Sequence, residues 1–501
     1  MNKLLAILML FSNCGFGQSN DGNFAVGSYR ASKISLADGY KTELRVWYPT
    51  RQTKGKKTRY ITRISPLLTG VDAIYSKAIN KAKADCNQKR PVIIFSHGDE
   101  GLKDQSWTTM EYLASRGYIV AAIDHIGNTQ FNNQVSMQLI PGFLQPIILG
   151  DYRFNLPRAY TYYRRPNDMK VAFDWLLENF EKKIKIDGDH CFNRKRPEYI
   201  AMGHSVGALT ALMAGGASIN LEDAEQFCQE LGQIQLDQAK LLMCGNEKEY
   251  TGGDVYDLSN YIDSDLNENG VIESRLKEGF SYEKTKGFAT FINDNTMQVK
   301  DNRVAAVVAI FPCCREMIVN GLSSLKVPTL VLGAEHDVVM PYIREAIGIA
   351  DEIKDNDTPV ELMILDKADH ASFAEICDLI TRSGCNDFTR EGDKVTLKER
   401  NDFPDEIDLN TRFVFYSEWC EAFPFDEQCL EPDLVEVVID NKIEKSLVVA
   451  DETQQVQIQV MDFDLAKTEI QTEIFRFLSP IVNLTFPQGF PERSNNWDTI
   501  Y

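Results

Sequence analysis

A five-residue turn with glycine at both ends is the feature that most restricts how this chain folds. The segment Gly203-His204-Ser205-Val206-Gly207 follows a short apolar run and precedes a helical pattern. A strand that turns this sharply into a helix brings the two backbones so close that the flanking positions require glycine. The segment therefore predicts a strand–turn–helix unit that holds the hydroxyl of Ser205 above a sheet, at a helix N-terminus that favours negative charge.

Apolar runs alternate with helical patterns on both sides of this turn. The run at 91–95 is continuously apolar, which suits a strand buried on both faces of a parallel sheet, and 118–123 is predicted as another buried strand. Three more strands are predicted at 304–310, 328–332 and 360–365. Helices are predicted near 70–84, over 106–116 and 166–180, and at the end of the chain, where Ile470, Ile474, Phe475 and Leu478 share one face. The alternation predicts the α/β class, with a mostly parallel central sheet flanked by helices.

Two long segments interrupt the alternation. Residues 217–300 are polar with few strand patterns, and residues 382–464 are acidic and aromatic. We interpret both as insertions into one catalytic domain that spans residues 18–501. We expect them to frame the pocket and determine the substrate.

The first insertion contains a weak calcium-binding pattern. Asp265, Asn267 and Asn269 resemble the start of an EF-hand-like loop. The final acidic ligand is missing, because Leu276 stands at the twelfth position. A solvated polar turn is therefore the favoured interpretation.

A serine nucleophile needs a base to remove its proton, and the base needs an acid to orient it. In folds with this turn the chain order is serine, acid, histidine. Of six histidines, only His336 and His370 follow the turn, and His370 lies just after the last predicted parallel strand, where the base belongs. Asp337 follows the preceding strand and is the predicted acid. Glu335 is the alternative acid, and a helix-capping carboxylate is the alternative role of Asp337.

An acyl-transfer site also needs backbone N–H groups that bind the developing oxyanion. Val206, directly after the serine, is predicted to supply one of them. The loop after Phe95 is predicted to supply the other, from Asp99. Gly98 allows the backbone to approach the site closely, and we expect His97 to brace this loop.

The N-terminus has the pattern of an export signal. Lys3 precedes an apolar run at 4–11 that is too short to span a bilayer, and small residues precede a cleavage site before Gln18. We therefore predict a signal peptide at 1–17 and a periplasmic or secreted protein. Lipid attachment at Cys14 is the less favoured alternative. No other stretch of the sequence is long and apolar enough to cross a membrane.

Eleven cysteines in an exported chain predict disulfide bonds. Ten remain after removal of Cys14, an even number. Three candidate pairs are close in sequence: Cys228 with Cys244, Cys377 with Cys385, and Cys420 with Cys429. No CxxC motif pairs with another, so a structural zinc site is not indicated.

Several motifs together resemble the platelet-activating-factor acetylhydrolase-like group of the α/β-hydrolase superfamily, also described as predicted dienelactone hydrolases. The resemblance covers about residues 24–215 and 300–375 and the final helix. Its motifs are FSHG at 95–98, LASRGYIVAA at 113–122, DHIGNT at 124–129, RPND at 165–168 and GHSVG at 203–207. The resemblance implies hydrolysis of a carboxylic ester through an acyl-enzyme, with no metal or organic cofactor.

The chain departs from this group in two ways. The animal acetylhydrolases have their acid just after the strand that follows the nucleophile, where residues 311–314 contain no carboxylate. Asp337 therefore takes this role, as in the similar bacterial polyester hydrolases and cutinases. Dienelactone hydrolases use a cysteine nucleophile where this chain has Ser205, so no dienelactone substrate is inferred.

The fold that the resemblance implies also bears on the remaining cysteines. Its usual strand order places the strand at 91–95 beside the strand at 199–202, which brings Cys86 and Cys191 together at the edge opposite the active site. We predict a disulfide between them, which a Cα separation above about 7 Å would rule out. Cys313 and Cys314 form a vicinal bridge or stay buried as thiols, and the sequence leaves both open.

The formal net charge of −20 disfavours nucleic acid and anionic membranes as partners. The sequence thus predicts a secreted serine hydrolase that cleaves a small-molecule or lipid ester, such as a short-acyl lipid, a small aryl or alkyl ester or a polyester fragment. The same triad suits amide or peptide hydrolysis. The alternative from another class is a non-catalytic binding protein on a hydrolase scaffold.

Overall fold

The fold is taken from a computed structural model of the chain. It describes residues 24–37, 39–64, 71–129, 158–220, 296–297, 299–374, 387–391, 394–398, 411–415, 434–439, 442–447, 455–482 and 496–499. Several predictions lie outside these residues: the signal peptide at 1–17 with Cys14, the calcium-like loop at 265–269, and the pairs Cys228/Cys244, Cys377/Cys385 and Cys420/Cys429.

One large sheet organises the described part of the chain. Its strands are β1 (Ala25–Ser35), β2 (Lys41–Thr50), β3 (Lys57–Ile64), β4 (Val71–Asn80), β5 (Val92–Ser96), β6 (Ile119–Ile123), β7 (Tyr199–His204), β8 (Val304–Ile310), β9 (Thr329–Ala334), β10 (Val360–Leu365) and β11 (Trp497–Thr499). Their order is β11-β10-β9-β8-β7-β5-β6-β2-β1-β4-β3. From β10 to β6 all neighbours are parallel, which confirms the predicted mostly parallel sheet.

Helices cover both faces of the parallel strands. They are α1 (Trp107–Ser115), α2 (Arg158–Lys183), α3 (Val206–Gly215), α4 (Gly348–Asp355) and α5 (Phe463–Ile481). In β5, Val92 and Ile94 pack in the core shared with α2, α3 and α4, whereas Ile93 and Phe95 pack in the core shared with α1 and α5. Successive side chains point to opposite faces of a strand, so burial on both faces requires the continuous apolar runs seen in the sequence.

The predicted helix near 70–84 is wrong. Val71–Asn80 forms β4, which pairs antiparallel with β3 and, through Gly27 and Ser28, parallel with β1. Pairing with neighbouring strands decides the structure of this segment against its local helical pattern, because strand propensity depends strongly on context.

The first insertion begins and ends at adjacent points. Ile219–Asn220 pairs antiparallel with Thr296–Met297, so the two ends of the segment predicted as the first insertion lie side by side. Described strands in the second insertion form three two-stranded ladders: Asp387–Glu391 with Lys394–Lys398, Thr411–Phe415 with Gln455–Gln459, and Leu434–Ile439 with Lys442–Leu447. The division into one domain with two insertions stays a prediction.

The remaining described elements are short. A two-residue parallel ladder joins Ala84–Asp85 to Ile186–Asp187, single 3₁₀ turns occupy Arg315–Met317, Leu322–Ser324 and His370–Phe373, and a π-helical turn occupies Ile343–Ile347. No helix within the described ranges has both the length and the apolar character needed to span a bilayer.

Two disulfides are present among the described cysteines. Cys86 is bonded to Cys191, with Cα atoms 4.6 Å apart, and the two residues precede β5 and β7 in the chain. The bridge therefore lies at the end of the sheet opposite the Ser205 turn, as predicted. Cys313 and Cys314, which follow β8 and are fully buried, are joined in a vicinal bridge.

The Cys86–Cys191 bridge closes a loop across 105 residues of sequence. A cross-link over a loop of this length restricts the unfolded chain, so the double variant Cys86→Ser/Cys191→Ser is expected to lose about 2–5 kcal/mol of unfolding free energy. Urea denaturation monitored by tryptophan fluorescence measures the loss. Wild-type protein treated with a reductant is the control, and a double variant as stable as the oxidised wild type would contradict the prediction.

Candidate active site

The carboxyl ends of the parallel strands lie along one edge of the sheet. Ser205 follows β7, Asp337 lies in the loop after β9, His370 lies in the loop after β10, and the loop of residues 97–106 follows β5. Sites in α/β sheets form at this edge, because loops from several strands converge there. The strand order thus brings the sequence-predicted residues to one place, although they are far apart in the chain.

The Ser205 turn has the strained backbone that its sequence predicts. Ser205 adopts φ +56° and ψ −124°, and its N–H donates to the carbonyl of Ile310 at the end of β8, with an N···O distance of 3.0 Å. A Cβ on Gly203 would lie 1.9 Å from the carbonyl oxygen of Gly207, and one on Gly207 would lie 2.0 Å from that of Ser96. Only glycine fits at these two positions, so the local sequence determines where the serine hydroxyl lies.

His370 and Asp337 form a buried hydrogen bond. The Nδ1 atom of His370 lies 2.6 Å from Oδ2 of Asp337, and the other carboxylate oxygen accepts the backbone N–H of Met340 at 2.7 Å. Burial raises the pKa of Asp337, and the neighbouring His370 ring opposes this rise. A carboxylate held from two sides keeps the imidazole in one orientation. The ring proton is then on Nδ1, and Nε2 is available as a base.

Glu335, the alternative acid, has a different partner. Its Oε2 atom accepts the backbone N–H of Lys367 at 2.7 Å, and its side chain is 44% exposed. Oε2 of Glu335 also lies 3.7 Å from Nε2 of His336. The geometry therefore favours Asp337 over Glu335 as the partner of His370.

Gly98 brings the loop after β5 against Ser205. A Cβ on Gly98 would lie 3.4 Å from the Cβ of Ser205. Val206 is the first residue of α3, and the first N–H groups of a helix have no acceptor within it. Both predicted sources of an oxyanion-binding N–H group thus come from segments that adjoin Ser205.

The side chain of Asp99, the second predicted donor residue, is fixed within this loop. Its Oδ1 atom accepts hydrogen bonds from Asn128 Nδ2 at 2.7 Å and from Tyr162 Oη at 3.0 Å. These contacts fix the side chain of Asp99, and the role of its backbone N–H as an oxyanion donor stays a prediction.

His204, inside the turn, links the loop after β5 to the loop that holds His370. Its Nδ1 atom accepts from Gln105 Nε2 at 2.8 Å, and its Nε2–H donates to the carbonyl of His370 at 3.1 Å. The Oε1 atom of Gln105 in turn accepts the N–H of Gly98 at 2.9 Å. Burial lowers the pKa of His204 well below its usual range, so it is a neutral bridge and not a base.

Sequence reasoning missed a second Ser-His-Asp set behind the site. The Nε2 atom of His125 lies 2.9 Å from Ser96 Oγ, and its Nδ1 atom lies 2.9 Å from Asp168 Oδ2. All three residues are 0% exposed, so no substrate reaches them and the set is structural. The motifs DHIGNT and RPND contain two of its members, but nothing in their spacing indicates that they meet.

One stretch of the chain matches a known protein family. Residues 37–136 match the family described as platelet-activating factor acetylhydrolase, isoform II. No curated protein matches the chain significantly. Among solved structures, the chain is similar to a ferulic acid esterase from Streptomyces cinnamoneus, with 13% identity, a TM-score of 0.48, and coverage of 95% of this chain and 97% of that one.

The family match confirms the predicted resemblance. Its range contains β5, β6 and the loop of residues 97–106, and it ends before Ser205. Together with the mostly parallel sheet, it confirms the α/β-hydrolase fold and the class of carboxylic ester hydrolases. The residues that perform the reaction are inferred from the site geometry itself.

Proposed function

We propose that this chain is a secreted serine hydrolase that cleaves carboxylic esters through an acyl-enzyme on Ser205. The observation that carries the proposal is the buried hydrogen bond of 2.6 Å between His370 and Asp337, on loops at the same sheet edge as the strained Ser205 turn. A binding protein on this scaffold would have no use for an oriented imidazole at the same sheet edge as a strained serine, because such strain is costly for stability.

The first half of the reaction forms the acyl-enzyme. Ser205 Oγ attacks the ester carbonyl carbon while His370 Nε2 accepts the hydroxyl proton, and Asp337 stabilises the resulting imidazolium through its Nδ1–H. The carbonyl oxygen becomes negative and binds the N–H groups of Val206 and Asp99. When the tetrahedral intermediate collapses, the C–O bond to the leaving alcohol breaks, and His370 donates its proton to that alcohol.

The second half releases the acid. Water attacks the acyl carbon, His370 accepts a proton from the water, and the same two N–H groups bind the second oxyanion. Collapse then breaks the bond to Ser205 Oγ, which regains its proton from His370. The cycle consumes one water and produces an alcohol and a carboxylic acid, so the residues named account for every proton.

The substrate class and location are part of the proposal. We propose short-acyl lipids, small aryl or alkyl esters, or polyester fragments, with the choice set by the two insertions. The apolar run at 4–11 supports export, and the Cys86–Cys191 disulfide supports an oxidising compartment.

Para-nitrophenyl esters of increasing acyl length test the proposal directly. We expect turnover of the acetate or butyrate ester and a loss of kcat/KM as the acyl chain lengthens beyond what the pocket accepts. Para-nitroacetanilide is the matched amide. Its hydrolysis at a rate equal to that of the acetate ester would favour the amidase alternative.

A fluorophosphonate probe identifies the nucleophile independently. Mass spectrometry of the labelled protein should find the adduct on the peptide that contains Ser205 and on no other serine. Absence of ester turnover together with absence of labelling would contradict the proposed function.

A further inference from the structure

We propose that Arg165 and His97 are positioning residues, which orient the Gly98–Asp99 peptide so that its N–H faces the oxyanion. This inference rests on the proposed function, since it concerns the same reaction. It extends the proposed mechanism, because neither residue touches the substrate. Both act through the Gly98–Asp99 peptide group.

The guanidinium of Arg165 lies behind the loop and contacts its carbonyls. Arg165 is on α2 and is 0% exposed. Its Nη2 atom donates to the carbonyl oxygen of His97 at 2.5 Å and to that of Gly98 at 3.0 Å. One nitrogen therefore fixes two consecutive carbonyl groups of the loop.

His97 supplies a second donor to the Gly98 carbonyl. Its Nε2 atom accepts the backbone N–H of His125 at 3.1 Å, so the proton of the neutral ring is on Nδ1. That Nδ1 lies 2.7 Å from the carbonyl oxygen of Gly98. Burial and the charge of Arg165 lower the pKa of His97 well below its usual range, which keeps the ring neutral.

Together with the backbone N–H of Gly101, which donates to the Gly98 carbonyl at 3.2 Å, these two donors fix the direction of that carbonyl and so of the N–H of Asp99. The Gly98 carbonyl and the Asp99 N–H belong to one planar trans peptide, in which the two groups point in opposite directions. With the carbonyl turned towards Arg165 and His97, the N–H is directed away from them. The preceding peptide follows the same rule, since the His97 carbonyl faces Arg165 and the Gly98 N–H meets Gln105 on the other side.

The burial of Arg165 fits this role better than a role in stability. Its Nε and Nη1 atoms have no hydrogen-bond partner among the described residues. Burial lowers the pKa of Arg165 to about 10, so it stays a cation at neutral pH. A buried cation with two unused donors is costly for the fold, but its charge polarises the Gly98–Asp99 peptide and strengthens its N–H as a donor.

The test compares Arg165→Met with Arg164→Met. Arg164 is the matched control, because it is equally buried and next in sequence. It donates to Asp168 and the Ile126 carbonyl, whereas Arg165 donates to the loop carbonyls. The measurements are kcat and KM for para-nitrophenyl acetate and Ki for a trifluoromethyl ketone, which forms a tetrahedral oxyanion on the serine. Thermal unfolding monitors the fold.

For Arg165→Met we expect kcat to fall about 10²-fold, the effect of losing one oxyanion donor, with KM unchanged and Ki raised by the same factor. Arg165→Lys should give intermediate values, because a single ammonium keeps the charge and one of the donated bonds. Arg164→Met should lower the melting temperature without a matched change in kcat and Ki.

Two results would overturn the inference. One is a folded Arg165→Met variant with wild-type kcat and Ki, and the other is an equal loss of kcat and Ki in Arg164→Met. If Arg165→Met does not fold, Arg165→Lys decides: a parallel change in kcat and Ki supports the inference, and wild-type values contradict it. Failure of the proposed function would instead be evident as an active Ser205→Ala variant.

Discussion

Replacement of Ser205 with alanine is expected to abolish ester hydrolysis, with a fall in kcat of roughly 10⁶-fold or to the uncatalysed rate. The hydroxyl oxygen forms the acyl bond, and no neighbouring group in the described site replaces it. The backbone strain is carried by the main chain and the two glycines, so the alanine variant should fold normally. Steady-state kinetics with para-nitrophenyl acetate and a thermal melt test both expectations.

Ser96→Ala is the matched control for this variant. Ser96 bonds to a histidine that bonds to an aspartate, as proposed for Ser205, but the whole set is buried. Loss of its hydroxyl should cost about 1 kcal/mol of stability and leave fluorophosphonate labelling at Ser205 intact. If Ser96→Ala were inactive and Ser205→Ala active, the nucleophile would be misassigned.

The sequence alone predicts those features whose geometry depends on residues close together in the chain. The Ser205 turn needs glycine at Gly203 and Gly207 because a Cβ there would overlap backbone, and that requirement is visible in five consecutive letters. The buried parallel strands need apolar side chains on both faces, so their positions could be read from continuous runs. Cys86 and Cys191 became predictable only once the resemblance supplied the strand order.

Polar contacts between residues far apart in the chain have no comparable sequence pattern that predicts them. Gln105 bridges Gly98 and His204, and Arg165 holds two carbonyls, yet neither residue belongs to a spacing that identifies its partners. The strand β4 was missed for a related reason, since its structure depends on pairing with β1 and β3. Such contacts form when the sheet assembles, and only the assembled fold identifies them.

Replacement of Asp337 with asparagine is expected to lower kcat by about 10⁴-fold with little change in KM, the size of effect this change has in serine proteases. The cause is the tautomer of His370. One oxygen of Asp337 accepts the N–H of Met340 at 2.7 Å, so the amide oxygen of the new side chain should keep that bond. Its NH₂ group would then face Nδ1 of His370 and donate to it, which moves the ring proton to Nε2 and leaves no base for Ser205.

Glu335→Gln separates this effect from a general loss of charge near the site. Glu335 accepts the Lys367 N–H through one oxygen, a bond that the glutamine oxygen can also accept, and it makes no bond to His370. We therefore expect Glu335→Gln to keep wild-type kcat, because the tautomer of His370 is unaffected. An inactive Glu335→Gln beside an active Asp337→Asn would assign the acid to Glu335, and it would require the loop after β9 to rearrange when substrate binds.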